Sequence, residues 1–127
     1  VSEVGLAQCN ELARSRGVSV ETVCADLDDF DLGESRCDLI TKIYYYEPSL
    51  FPAIRRALKP GGHFLFQTFS LEHATVGTFG PKNPAYLASQ AAVLDPFASD
   101  RLLHYQDIVL RVGDDTEAVI RMIARVP

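Results

Sequence analysis

Apolar positions fall into several periods along this chain. Leu6, Cys9, Leu12 and Ala13 recur at helical spacing. Ser2 stands where a side-chain oxygen caps a helix and Gly17 where one stops, so the pattern predicts a helix running to about Arg16. Val18, Val20 and Val23 favour a strand that the carboxylates of Asp26, Asp28 and Asp29 break. Residues 31–36 read as a polar loop and Asp38 to Tyr44 as the next strand. Leu50, Ile54, Ala57 and Leu58 return to helical spacing, with Pro48 and Pro52 framing the start and Pro60-Gly61-Gly62 supplying the stop. The run Phe64 to Phe69 has too many large apolar residues for a one-sided strand, and predicts a parallel strand covered on both faces. A helix feeding such a strand is half of a βαβ unit.

Beyond Phe69 the chain becomes loop-like through Pro84, rich in Gly, Pro and Thr. Ser89 is placed to cap a short helix containing Ala91, Ala92 and Leu94, which Pro96 ends. Ile108, Leu110 and Val112 alternate with Val109 and Arg111, and Ile120, Met122, Ala124 and Val126 alternate with Arg121, Ile123 and Arg125. Gly113-Asp114-Asp115-Thr116 lies between them, which predicts an antiparallel hairpin. No repeat, low-complexity segment or linker divides the chain. Lys42 is out of place on its strand, since a buried ammonium costs several kcal/mol unless it is paired or reaches water. It lies on an exposed edge, the favoured placement, or snorkels to the mouth of a cleft.

Composition narrows the function classes. The 127 residues suit one domain, 1–127, with a real core. With 47% hydrophobic and 23% charged residues, the chain is neither disordered nor membrane-spanning in composition, and no apolar run approaches the roughly 18 residues of a spanning helix. No secretory signal is visible at Val1, and a start other than methionine suggests processing, tag removal or truncation. A formal charge of −5 argues against nucleic-acid binding, which rests on Lys and Arg neutralising phosphates, and favours a small-molecule partner. Cys9, Cys24 and Cys37 are odd in number and set in apolar stretches, as expected of reduced, buried thiols in a cytoplasmic protein. His63, His73 and His104 lack metal-ligand spacing, so no metal site is expected.

Leu58-Lys59-Pro60-Gly61-Gly62 followed by an apolar strand resembles the turn before the fifth strand of class I S-adenosylmethionine-dependent methyltransferases. Val20 to Asp26, Asp29-Phe30 and Cys37-Asp38-Leu39-Ile40 stand in the order of that family's third strand, following loop and fourth strand. Residues 77–84 further resemble a loop of small bacterial members similar to tellurite-resistance methyltransferases. The resemblance implies an α/β fold: a partial Rossmann-like sheet, mostly parallel, with a C-terminal antiparallel hairpin and the first two strands missing. The family's glycine-rich loop after its first strand and the acidic residue ending its second have no counterpart here, so the domain is expected to be N-terminally incomplete.

The same resemblance implies a cofactor, S-adenosylmethionine, held once the site is completed by Val1, Asp26, Leu27, Tyr44 and Tyr45. Tyr46, Glu47, Gln67, Phe69 and His73 would approach the methyl acceptor, a small molecule. Methyl transfer from a sulfonium needs alignment more than side-chain catalysis, so no fixed catalytic residue is implied. Each assignment has a plainer counterpart: Asp26 as a turn aspartate, the tyrosines as caps on the core, His73 as a solvated loop histidine or else a general base. Without two central strands a gap of about 14 Å, at about 4.8 Å per strand, would open between the segments near Val20 and Ile40. Residues outside this chain, direct pairing of the two segments, or a homodimer across the edge near Lys42 would close it. The alternative to a methyltransferase is a noncatalytic scaffold that associates through that edge.

Overall fold

The computed structural model describes residues 2–127, which fall into two compact units that divide between Asp31 and Leu32. Val1, expected beside the cofactor, lies outside the described residues. In the first unit, helix α1 spans Glu3–Ser15. The Ser2 hydroxyl accepts from the Gly5 amide at 3.1 Å, which meets the expected cap. At the other end Gly17 takes φ 66°, and the Gly17 and Val18 amides donate to the Arg14 and Ala13 carbonyls. These two bonds form a Schellman motif, so the glycine does end the helix by entering the left-handed region. The apolar stripe is largely open: Ala13 is buried, but Leu12 and Cys9 are exposed.

Two expectations are corrected. Val20 to Asp26 is extended but joins no ladder, and Val18, Val20 and Val23 are exposed. β-branched residues favour a strand only where a pleated, half-buried surface receives them, and no described strand pairs with this segment. All three cysteines are free, but Cys9 and Cys24 are exposed and Cys37 half-buried rather than enclosed.

The second unit is a four-stranded mixed sheet in the order β1-β2-β4-β3. Strand β1 is Cys37–Ile43, β2 is Leu58–Phe69, β3 is Arg101–Val112 and β4 is Asp115–Arg125. β1 and β2 run parallel, with Lys42 opposite Phe66. The other two pairings, β2 with β4 and β4 with β3, are antiparallel. The parallel part amounts to one pairing because the segment near Val20 takes no place in the sheet. The predicted hairpin is present, and β3 begins earlier than its apolar alternation implies, at Arg101. Helix α2, Phe51–Ala57, links β1 to β2. It ends one turn before the glycines, with Leu58 already extended as its cap, so Pro60-Gly61-Gly62 belongs to the start of β2 instead of closing the helix.

Alternation along β2 and β4 decides where the core lies. Phe64, Phe66 and Thr68 on β2 and Ala118, Ile120, Met122 and Ala124 on β4 are buried. Of these, Phe64, Phe66, Ile120, Met122 and Ala124 form one cluster with Phe51 and Ile54 of α2, Val93 of α4 (Gln90–Leu94), and Phe97. Of the intervening positions, Leu65, Gln67, Arg121 and Ile123 are half-buried, while Phe69, Glu117 and Val119 are buried. The β2 segment is therefore covered fully on one face and only partly on the other. Ser89 caps α4 by accepting from the Ala92 amide at 3.2 Å, as its position predicts. No helix among the described residues is long and apolar enough to cross a membrane.

Candidate functional site

Open α/β sheets bind ligands outside the carboxyl ends of their parallel strands, because the connecting loops diverge there. In the second unit that end is marked by Tyr44, the residue following β1, which adopts φ 52°. A bulky residue in the left-handed region costs on the order of 1–3 kcal/mol and persists only where its surroundings enforce it. Here they do. The Tyr44 amide donates to the Gln67 carbonyl at 2.8 Å, and its ring lies against Phe69 with centroids 4.7 Å apart. The Tyr44 hydroxyl donates to Glu117 Oε2 at 2.8 Å, while Gln67 Nε2 donates to the same hydroxyl oxygen at 2.8 Å. Arg121 Nε donates to Gln67 Oε1 at 2.7 Å, which fixes the end of the amide that faces Tyr44.

A directed chain of hydrogen bonds thus runs from Arg121 through Gln67 and Tyr44 to Glu117. Burial, then the bond to Glu117, pushes the Tyr44 hydroxyl above its usual range. Glu117 is 4% exposed. Sequence reasoning passed over both Glu117 and Arg121. The signal was their register: they stand at alternate positions of a strand whose neighbour presents Gln67 and Phe69 opposite Arg121 and Val119, so all four share one face.

His73 is neither solvated nor in a loop. It opens the single helical turn α3, His73–Val76, and is fully buried. Its Nδ1 accepts from the Ala118 amide at 3.1 Å and its Nε2 meets the Phe79 carbonyl at 2.6 Å. Those partners require the tautomer with the proton on Nε2, leaving no ring nitrogen open for a base. The ring stacks on Phe69 at 4.1 Å, with Phe79 edge-on to both. A Cβ at Gly77 would lie 2.3 Å from the His73 ring, so only glycine permits this approach. Residues 77–84, expected as a loop, are tied down: Lys82 donates to the His73 and Gly77 carbonyls, and Thr78 Oγ1 donates to Asp115 at 2.8 Å.

Lys42 lies on edge strand β1, yet its side chain turns inward and is 7% exposed, which corrects the expectation of an exposed ammonium. Nζ donates to the Glu47 carbonyl at 2.9 Å and stands 4.8 Å from the Phe51 centroid and 5.4 Å from those of Tyr45 and Phe66. Desolvation pushes its pKa down to about 8, against the opposing charge of Glu47. Tyr45 is about half exposed, while Tyr46 turns into the main cluster and burial raises its hydroxyl. The Glu47 carboxylate caps the turn Pro48–Leu50, accepting from the Ser49 amide and hydroxyl, which hold it below the usual carboxylate range. The sequence-predicted residues of this unit therefore separate: Tyr44, Gln67 and Phe69 form one constellation, His73 supports Phe69, and Tyr46 and Glu47 serve the core and a cap.

Asp26 and Leu27 belong to the first unit. Asp26 Oδ1 accepts from the Asp28 amide at 3.1 Å and its carbonyl from Asp29, a local turn of the kind its sequence context allows. Leu27 is exposed. Two open cavities of about 470 and 460 Å³ occur at the amino end of β2, lined partly by Arg55 and Arg56 and by Arg101 and Arg125. They contain none of the predicted site residues, and the strand geometry places ligands at the opposite end. No group of three or more metal-ligating side chains occurs among the described residues.

No family model matches the sequence, and no curated protein matches it. Solved structures do. TehB from Haemophilus influenzae superposes with a TM-score of 0.79 at 13% identity, over 99% of this chain and 48% of that one. A SAM-dependent methyltransferase from Methanosarcina mazei gives 0.73 at 11% identity, over 99% and 79%. One from Aquifex aeolicus gives 0.66 at 16%, over 100% and 66%. The chain has the fold of part of a class I S-adenosylmethionine-dependent methyltransferase domain, and spans about half the length of TehB.

Proposed function

We propose that this chain forms part of a methyltransferase that transfers a methyl group from S-adenosylmethionine to a small-molecule acceptor. The observation that carries the reading is the constellation of Tyr44, Phe69, Gln67 and Glu117 at the carboxyl end of β1 and β2, in a fold shared with S-adenosylmethionine-dependent methyltransferases. The cofactor supplies an electrophilic methyl on a sulfonium. Tyr44 and Tyr45 offer ring surface to a cation, and the hydrogen bonds from Gln67 and to Glu117 hold the Tyr44 ring at one angle. In this reading Phe69 borders the acceptor and His73 orients Phe69 by stacking.

Part of the cofactor's contact set has no counterpart among these residues, so the affinity of the chain by itself should be on the order of millimolar. Calorimetric titration with S-adenosylhomocysteine should give little heat, while NMR at millimolar ligand should show shifts of the Tyr44 and Tyr45 ring signals. Absence of any shift at those rings would overturn the reading. Micromolar saturable binding would instead mean that a full site assembles from this chain, for instance in a homodimer.

A second reading rests on β1, which has no described strand on its free side and carries Leu39 at 56% and Ile43 at 46% exposure. Such an edge is a template for pairing, and a noncatalytic scaffold that self-associates would use it. Light scattering after size exclusion should then give a dimer that L39K/I43K converts to monomer. A monomer at 0.1 mM disposes of this reading.

A further inference from the structure

We infer that Tyr44 is a binding platform for an alkylammonium or sulfonium group, with Glu117 as the positioning residue that strengthens the platform from behind. The ring is packed on Phe69 at 4.7 Å and the residue as a whole is still 44% exposed, so Tyr44 retains surface open to a ligand. The strained φ of 52° is the cost of aiming ring and hydroxyl in these directions. Because the Gln67 amide donates to the phenol oxygen, the phenol proton is committed to Glu117. A phenol donating to a carboxylate acquires partial phenolate character, and a cation over its face then gains from both the ring quadrupole and the carboxylate.

Glu117 itself argues for a cation. Its carboxylate is almost wholly buried, and Tyr44 is its one side-chain donor in the constellation, whereas a buried carboxylate is ordinarily paired or bonded several times over. Arg121 supplies the opposing charge, which acts against the upward shift of Tyr44, while its hydrogen bond goes to Gln67. Coulomb energy falls with distance, so the carboxylate in direct contact with Tyr44 outweighs a guanidinium one residue further away.

The cation has two sources under the methyltransferase reading, on which the identity of the ligand, but not the platform, rests. The cofactor carries a sulfonium and an ammonium, and an amine acceptor carries an ammonium. Tetramethylammonium is the direct probe, titrated into the 127-residue chain while the Tyr44 ring signals are followed by NMR, with neopentyl alcohol as the uncharged comparison. Tetramethylammonium should shift Tyr44 saturably and bind more tightly than the alcohol. E117Q and Y44F should weaken the cation about three- to tenfold while leaving the alcohol unchanged, and R121Q should tighten the cation. A merely structural role for Glu117 would change both probes together. No shift at Tyr44, equal binding of the two probes, or an unaltered E117Q response overturns the inference. Cation binding without S-adenosylhomocysteine binding keeps the platform and removes the cofactor reading. With the homocysteine analogue bound, a further Tyr44 shift on adding methylamine assigns the cation to the acceptor, and its absence assigns it to the cofactor.

Discussion

Replacing Phe51 by alanine should destabilise the second unit by about 3–5 kcal/mol. Phe51 is fully buried at the start of α2 and meets three other rings edge-on, Phe64 at 6.1 Å, Phe66 at 5.6 Å and Phe97 at 5.4 Å. Truncation removes the transfer free energy of the ring and leaves a cavity that the sheet on one side and the segment around Phe97 on the other cannot both collapse into. The aromatic edges contribute about 0.5–1.5 kcal/mol per pair beyond buried area. The ring also faces the Lys42 ammonium at 4.8 Å, so that contact is lost as well. For a domain with a total stability of about 5–15 kcal/mol, this is a large fraction. Urea unfolding followed by far-ultraviolet circular dichroism should show the midpoint falling with the slope unchanged, and Phe51→Leu should recover most of the loss. A change below about 1 kcal/mol in Phe51→Ala would mean that Phe51 is not the hub of the core.

The same residues show how much of the fold could be read from sequence. α2, its prolines, the capped helix at Ser89 and the Gly113 hairpin were legible because each depends on local chemistry: a cap, a fixed φ, an alternation. The segment at Val20 was misread because strand propensity is satisfied by a neighbour, and a neighbour is not a local property. The β2 run was read as buried on both faces because Leu65 is apolar, although its face is only half covered. At the candidate site, the resemblance named Tyr44, Gln67 and Phe69 but not Glu117, since only register across β2 and β4 brings a hairpin carboxylate to Tyr44. His73 was misjudged for a related reason. A histidine in a polar stretch is solvated unless distant backbone receives it, and the Ala118 amide does so from 45 residues away.

Lys42→Met should make the protein more stable at neutral pH, by about 1–3 kcal/mol, while loosening the segment that carries the tyrosines. Three rings and the Glu47 carbonyl face the ammonium, and desolvation pushes its pKa down to about 8 against the charge of Glu47. Below about pH 8 both folded and unfolded chains hold the proton, and the folded state bears the full penalty of burying it. Between about 8 and the ordinary lysine value of 10.5, the unfolded chain keeps a proton that the folded chain has released. Unfolding free energy therefore gains from this group as pH rises through that window. Tyr44, Tyr46 and Tyr105 are all shifted upward by burial. Their contribution is present below the ordinary tyrosine pKa and lost above their raised folded values, an opposite trend that both proteins share. The difference between wild type and Lys42→Met isolates the lysine: the variant's advantage should be largest near pH 7 and shrink by pH 10.5. Methionine fills similar volume but cannot donate to the Glu47 carbonyl, so amide exchange from Tyr45 to Ser49 should quicken even as global stability rises. A variant less stable than wild type at pH 7 would show that the cation stabilises the fold. Unchanged exchange would show that the tether does not hold the loop.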